Sequence, residues 1–495
     1  MPLILLFFVT LRFQIILFDK KYFINYIPTI SLMKKLLLPL FLSAAILPTF
    51  AEESAEPRSM RLFDQVVFYD GYNGTVFDAD LDDGILRHRN SLYAIRLTDE
   101  QLDFFGPTTE MNVRIGALCD NYDRIGNINL ALVPKGRESY TIDDEDVHRS
   151  ELGRFITPFM NKNKYPTSVP YSYVLDNIGY IMHDMDLRAQ YDYWIEFELF
   201  GVPYAANQQV EGCADRNDVF SGTLDFVCPE DPMEGNTIDV FVPIYMKIPE
   251  YDGRYNLNNY TATATDELGK TERTFTFDVP EDVADGLICL ITSNHGANSG
   301  GEEYNRRWHY VYIDDELVLT YKPGRKSCEP FRKYNTQANG IYGWTSKSDQ
   351  AWQSFSNWCP GDVIDNRIIR LGAFEAGTHK IKISVPDAVF QDAQGDIPVS
   401  IYFQGLTEGT LPDMSAINEI EYLKDVTFKM ENGNITFACE EPIIGVELLD
   451  IEGRLLDAQW KRGITTYDAS GRTPGLYLLR LYTEDGYTIT RKFRR

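Results

Sequence analysis

Apolar and polar residues alternate with a period of two along most of the chain. Trp194-Ile195-Glu196-Phe197-Glu198-Leu199 is the clearest case, with apolar and acidic side chains on opposite faces, as in a strand with one wet face. The same pattern marks residues 113–117, 128–133, 238–248, 273–279, 309–313, 379–385 and 399–403. Turn dipeptides punctuate these runs: Asn73-Gly74, Asp83-Gly84, Asp252-Gly253, Ala376-Gly377 and Asn432-Gly433. No stretch longer than about ten residues carries a helical apolar stripe. The pattern predicts an all-β protein built of β-sandwiches, with jelly-roll and immunoglobulin-like connectivity both open.

Two interruptions divide the pattern. Residues 203–236 are polar, broken by Pro229 and Pro232, and show no sustained alternation. A second break covers 405–412. The predicted domains are therefore 60–202, 237–405 and 415–495, with 203–236 as an insertion. A chain of 495 residues fits three domains. Acidic residues exceed basic ones enough for a net charge of −26, and such a surface repels phosphate backbones, which argues against a nucleic-acid partner.

The first 51 residues read as an address. Met33-Lys34-Lys35 is followed by an apolar run to Leu47, and Thr49-Phe50-Ala51 supplies small residues before a cleavage point. This predicts a secretory signal peptide, a true start at Met33, and a secreted or surface-attached protein that passes through the periplasm. No later segment is apolar and long enough to span a bilayer as a helix.

Export permits disulfides. Cys213 and Cys228 bracket a polar loop and are predicted to pair, which would stabilise by ~3 kcal/mol. Cys328 and Cys359 flank an aromatic loop and form the second predicted pair. Cys289, inside Leu287-Ile288-Cys289-Leu290-Ile291, reads as a buried thiol.

The C-terminal region has a recognisable order of elements. A strand, an acidic-glycine turn and a returning strand occupy 446–456, followed by Pro474-Gly475-Leu476-Tyr477, Asp485-Gly486 and a basic end. This resembles the C-terminal sorting domain of type IX secretion cargo, which implies the type IX machinery as a partner and no catalysis in 415–495.

Chemistry is then sought among the carboxylates of 60–405. Cys119-Asp120-Asn121-Tyr122-Asp123-Arg124 falls between two strands, where sites are often built. Asp123 beside Arg124 reads either as a catalytic acid with a substrate clamp or as a turn carboxylate paired with its neighbour. Gly300-Gly301-Glu302-Glu303 follows Asn294-His295-Gly296. Its glycines would let backbone approach a ligand, and its glutamates would supply a base, or else the segment is a solvated hairpin. Asp184 is a third acid, just before a strong strand.

Taken in order, these segments resemble the peptide-N-glycosidase F family. The resemblance rests on Leu62-Phe63-Asp64-Gln65-Val66, on Cys119 to Arg124, on Leu152-Gly153-Arg154-Phe155-Ile156-Thr157-Pro158-Phe159, and on Asn357-Trp358-Cys359-Pro360-Gly361. It implies two packed jelly rolls followed by the small sorting sandwich, with a site between the rolls. It also implies hydrolysis of the amide linking asparagine to the first N-acetylglucosamine of an N-glycan, with N-glycosylated peptides or glycoproteins as substrate and no cofactor or metal.

By the resemblance, Asp123 and Glu303 are catalytic and Asp184 stands for a third acid. Arg124, Tyr122, Trp358 and His295 are expected to bind substrate, and Cys328–Cys359 to close a loop. The chain departs from the family at Gly301 and Asn305, where a cysteine pair is expected, and at Phe355, where an arginine is. Cys119 also lacks its expected partner.

The rival reading is a secreted N-glycan-binding, lectin-like protein without turnover. A copper hydroxylase is disfavoured because no His-x-His pair occurs. An EF-hand at 78–89 fails because its glycine falls late and Arg89 takes the acidic twelfth position.

Overall fold

The computed structural model describes residues 58–74, 81–228, 231–233, 240–246, 257, 268–297, 301–337, 348, 350–351, 357–390, 395–412, 426–431, 433–439, 442–450, 455–473, 475–483 and 488–495. The predicted signal peptide and Phe355 lie outside them.

The first sandwich is built from β1 (Arg58–Tyr69), β2 (Ile85–Arg89), β3 (Leu92–Arg96), β4 (Glu110–Ala117), β5 (Ile125–Pro134), β6 (His148–Ile156), β7 (Ser168–Val174), β8 (Tyr191–Leu199) and β9 (Asp218–Cys228). One sheet runs β1-β9-β4-β7 and the other β6-β5-β8-β3-β2, with antiparallel pairing in both. Non-sequential neighbours of this kind make the jelly roll. Phe63, Phe68, Tyr93, Phe155, Phe197 and Phe220 fill the space between the sheets with no exposed surface.

This topology corrects the predicted boundary. β9 lies inside 203–236 yet is a central strand, flanked by β1 and β4, so the first domain runs to Cys228. The strand hides in the sequence because Gly222 interrupts its apolar face. A Cβ there would lie 2.7 Å from the Phe197 ring and 2.8 Å from Phe68, so the core requires a missing side chain at that point.

The second sandwich comprises β10 (Val240–Tyr245), β11 (Glu272–Val279), β12 (Val283–Thr292), β13 (His309–Ile313), β14 (Glu316–Tyr321), β15 (Val363–Ile364), β16 (Arg367–Phe374), β17 (Gly377–Ser384) and β18 (Val399–Leu406). Its sheets run β10-β18-β12-β16 and β11-β17-β13-β14. β12 is apolar on both faces for a physical reason. Ile288 and Leu290 point into the sandwich core, while Leu287, Cys289 and Ile291 pack with Ile156, Trp358 and Tyr402 between the two domains.

That interface is continuous. β15 crosses from the second domain to pair with β6, matching Val363 to Phe155 and Ile364 to Arg154. Asn177 donates to Tyr402 Oη at 2.9 Å and to Gln404 Oε1 at 2.8 Å. The site-bearing loops of the two domains thus leave one shared seam.

The third domain has its own core of Phe437, Val446, Leu448, Tyr467, Leu479 and Leu481. One sheet contains Val426–Glu431, Asn434–Cys439 and Thr466–Asp468; the other contains Leu455–Trp460, Ile443–Leu449, Leu476–Thr483 and Thr488–Arg494. The strand and returning strand predicted over 446–456 pair as Gly445↔Trp460 through Leu449↔Leu455.

Candidate active site

The first half of the site is the loop from Cys119 to Arg124, between β4 and β5. Asp120 organises it. This buried carboxylate accepts from the backbone N–H of Tyr122 at 2.9 Å and of Val202 at 2.7 Å, and pairs with Arg124 Nε at 2.7 Å. Thr157 clasps the loop from the other side. Its hydroxyl accepts from the Arg124 N–H at 2.8 Å, its own N–H donates to the Arg124 carbonyl at 2.8 Å, and its hydroxyl donates to the Tyr122 carbonyl at 3.2 Å. Phe159, two residues on, meets the Tyr122 ring edge to face at 5.8 Å. The motif Leu152 to Phe159 therefore holds the loop that presents Asp123.

Asp123 keeps part of its surface accessible at the mouth of the site, yet protein surrounds its carboxyl closely. Burial first, and then the negative charge of Glu303, push its pKa up to about 7. Arg124 opposes that rise. Asp120 already engages two of the Arg124 nitrogens, and the guanidinium lies over the Tyr122 ring at 5.6 Å and Phe200 at 5.9 Å.

Glu303 comes from the second domain, between β12 and β13. Its Oε2 accepts from the Gly296 N–H at 2.9 Å, and the Tyr304 hydroxyl donates to it. Burial raises the Glu303 pKa against both bonds. Asn357 braces the turn, its side-chain amide donating to the carbonyls of Glu302 at 3.0 Å, Glu303 at 2.6 Å and Asn305 at 3.1 Å. Gly301 has a local role. A Cβ there would sit 1.9 Å from the Gly296 carbonyl oxygen, so the close approach it permits is of backbone to backbone, not to ligand. Glu302, the other acid, is a buried structural partner of Arg307 at 2.8 Å.

Tyr304 is the group that sequence reasoning missed. Its ring packs with Phe159, Phe331 and the Cys328–Cys359 disulfide. Burial first, and then the charge of Glu303, the hydrogen bond to it and the charge of Asp123, raise the pKa of its hydroxyl. Two acids from different domains and one phenol thus converge. Such a set can hold a proton on one group while another accepts one. Among the described residues, no group of three or more His, Cys, Asp or Glu is placed to hold a metal ion.

Family models locate this arrangement. The model for the N-terminal domain of peptide-N-glycosidase F matches residues 59–213, and the model for its C-terminal domain matches 259–404. Together they span more than half of the sequence. The chain belongs to the peptide-N-glycosidase F family. Among solved structures, it is similar to one titled PNGF-II, with a TM-score of 0.51 and 16% identity, over 72% of this chain and 66% of that one. A structure described as PNGase F, a glycosylasparaginase from Flavobacterium meningosepticum, aligns with 16% identity and a TM-score of 0.44, over 71% of this chain and 97% of that one. At these identities the likeness concerns the fold. The match covers just under two thirds of PNGF-II. No curated protein matches the sequence.

Within this family frame, several expected residues take other positions. Asp184 does not join Asp123 and Glu303. It lies between α1 (Ile178–Met182) and α2 (Met185–Gln190), where its carboxylate caps α2 by accepting from Asp186 N–H at 2.9 Å and Leu187 N–H at 3.0 Å. That segment sits at the Glu110 end of β4, since Leu175 and Asp176 bond to Thr109. Asp123 follows the Ala117 end. The eight-residue strand between them separates the two by on the order of 20 Å. A capping acid and a catalytic acid look alike in sequence, because both precede a regular element.

The disulfides are Cys119–Cys213 and Cys328–Cys359. The expected Cys213–Cys228 pair is absent: Cys228 is a free, buried thiol on β9, 3.6 Å from Thr109 Oγ1. Cys119 accordingly has a partner, supplied by the 203–217 segment. Cys289 is buried and free, as expected, with its pKa pushed up to about 12 by burial.

Trp358 is buried, not open to a sugar. Its indole donates to the Asn294 carbonyl at 2.9 Å, and its ring stacks against His295 at 5.8 Å. His295 Nε2 meets Ser293 Oγ at 2.7 Å, which also receives Arg154 at 2.8 Å. Both residues thus brace the 293–295 segment that leads into Gly296, the donor to Glu303. Tyr122, by contrast, is exposed.

Proposed function

We propose that this protein is a peptide-N4-(N-acetyl-β-glucosaminyl)asparagine amidase. It hydrolyses the amide between an asparagine side chain and the first N-acetylglucosamine, leaving aspartate and releasing the glycan as a glycosylamine. The observation that carries this reading is the Asp123–Glu303 pair, drawn from two domains, with the Asp123 pKa raised to about 7.

An acid titrating there takes a proton from water as it attacks the amide carbon, then returns one to the departing nitrogen as the C–N bond breaks. Glu303, fixed by Gly296 and Tyr304, orients the water or the amide. Arg124 is the donor toward the developing oxyanion. Tyr122 offers its exposed face to the first sugar. Asp184, Trp358 and His295 act outside the reacting groups, as a helix cap and as supports.

N-glycosylated peptides and glycoproteins are the proposed substrates. We read the third domain as a type IX sorting domain and the protein as secreted. Two disulfides fit an oxidising compartment, and among the described residues no helix is long and apolar enough to cross a membrane.

The test incubates the full chain and its Asp123→Asn variant with a denatured N-glycoprotein and follows both the glycan and the mass of the former attachment site. Conversion of asparagine to aspartate, lost in the variant, supports the amidase. An N-acetylglucosamine left on the protein means cleavage between sugars and sinks the reading. Saturable glycan binding without release replaces it with the lectin-like alternative.

A further inference from the structure

We infer that Tyr72 and Tyr204 form a second sugar subsite, which takes residues of the glycan beyond those seated at Asp123. The inference rests on the amidase reading for what the glycan is, and on the following geometry for where it lies.

Both tyrosines are large apolar groups left in solvent, 60% and 52% exposed. Their rings stack at 6.2 Å with planes 18° apart. Tyr72 meets Phe200 edge to face at 5.2 Å, and Phe200 lies beneath Arg124 at 5.9 Å. Arg124 in turn covers Tyr122 at 5.6 Å, the neighbour of Asp123 on its other side. A continuous series of ring and guanidinium contacts therefore leads from the neighbours of the reacting carboxyl to Tyr204.

The series is built, not incidental. Gly71 is bonded to the Gly201 carbonyl at 2.9 Å, and a Cβ on it would fall 2.3 Å from the Phe200 ring. Only glycine lets the two loops close at that point. Buried Asp70 accepts from Tyr72 N–H at 3.1 Å and Asn73 Nδ2 at 2.6 Å, and the Tyr204 hydroxyl bonds to the same carboxylate.

Tyr204 opens the segment that follows β8, and that segment is anchored to the catalytic loop three times. Val202 N–H bonds to Asp120 at 2.7 Å, Asn121 Nδ2 to Gln209 Oε1 at 2.8 Å, and Cys213 is bonded covalently to Cys119. Rings held this way lose little freedom on binding. Flat apolar faces flanked by hydrogen-bonding groups suit the alternating C–H faces and hydroxyls of a pyranose. The net charge of −26 leaves a neutral ligand favoured over an anionic one.

The test compares two glycopeptides with the full chain, one trimmed to its two core N-acetylglucosamines and one carrying the untrimmed oligosaccharide. The ratio of kcat/KM for the untrimmed glycopeptide to that for the trimmed one is measured for wild type, Tyr72→Ala, Tyr204→Ala and Tyr204→Phe. Calorimetric titration with the free oligosaccharide runs beside it and needs no turnover. We expect each alanine variant to lower the ratio by about 3- to 10-fold, and Tyr204→Phe to lower it less, because the ring supplies the contact. An unchanged ratio, or an equal loss on both substrates, overturns the subsite. Should wild type release no glycan, the amidase reading fails by itself. The titration then decides: oligosaccharide binding weakened by Tyr204→Ala sustains the subsite, and binding that is absent or unchanged in the variant removes it.

Discussion

Arg154 is paired with Glu151 in full burial, its Nε 2.8 Å and Nη2 2.7 Å from the two carboxylate oxygens, and the same guanidinium crosses the domain interface to the Pro398 carbonyl at 2.9 Å. Ser293 and Ser400 complete the ring of partners. The pair stands at the seam from which both acid-bearing loops project. Arg154→Leu strands a buried negative charge, and we expect it to cost about 3–5 kcal/mol in chemical denaturation. Adding Glu151→Leu should recover much of that loss, since the uncompensated charge is then gone. Equal destabilisation in the single and double variants would show that the hydrogen bonds across the seam, not the charge, hold it.

Asp123→Asn is expected to lower kcat by at least 10²- to 10⁴-fold while making the fold more stable at neutral pH. The carboxyl's folded pKa of about 7 lies above its unfolded value. The native state therefore holds a proton that the unfolded chain has released between about pH 4 and 7, and stability falls with rising pH through that window. The variant removes this loss. Its gain should grow from about pH 4, level off above about 7, and reach on the order of 4 kcal/mol. A melting temperature that rises equally at pH 4 and pH 8 would contradict the assignment.

Tyr304→Phe leaves the ring in its aromatic cluster and removes only the hydroxyl. We expect a loss of roughly 10- to 100-fold in kcat with little change in KM, because Glu303 loses the bond that orients it toward the reacting groups. The lost bond is also one to its charged form, so the rate profile should shift toward higher pH. An unaltered pH profile would confine Tyr304 to packing.

Peptide mapping without reduction should recover Cys119 joined to Cys213 and leave Cys228 alkylated only after unfolding. The bridge closes a long stretch of chain, its cysteines standing 94 positions apart, so Cys213→Ser is expected to cost about 2–4 kcal/mol. Because it also tethers the loop that carries Asp123, activity should fall with it. Cys228→Ser should cost less.

His309 is buried against Tyr321 at 4.7 Å, and burial pushes its pKa down to about 3. The unfolded histidine takes up a proton below about pH 6.5 that the folded one refuses, so stability is lost as the pH falls from there toward 3. His309→Phe should flatten that acid limb by close to one proton when denaturation is followed against pH. A slope that does not change would assign the limb to carboxylates alone.

The all-β class and most strands lie in the two-residue period, because a sheet with one wet face writes its geometry directly into the order of side chains. The motif around Asp123, the turn bearing Glu303 and the Cys328–Cys359 bridge were also visible, each within a short segment. β9 was not, since Gly222 breaks the pattern where two rings need its space. Asp184 was misread because a helix cap and a site acid look alike until both ends of β4 are placed.

Local order alone also could not choose among cysteines. Cys228 lies nearer to Cys213 in sequence, but the pleat of β9 buries it beside Thr109 while the chain folds Cys213 back onto Cys119. The sequence by itself determined which elements form and which acids were available. Only the tertiary structure decided which of them meet. Burial and the charge of Glu303 move the Asp123 pKa to about 7. Both arise from packing between segments 180 residues apart in the numbering, an effect that no local pattern encodes.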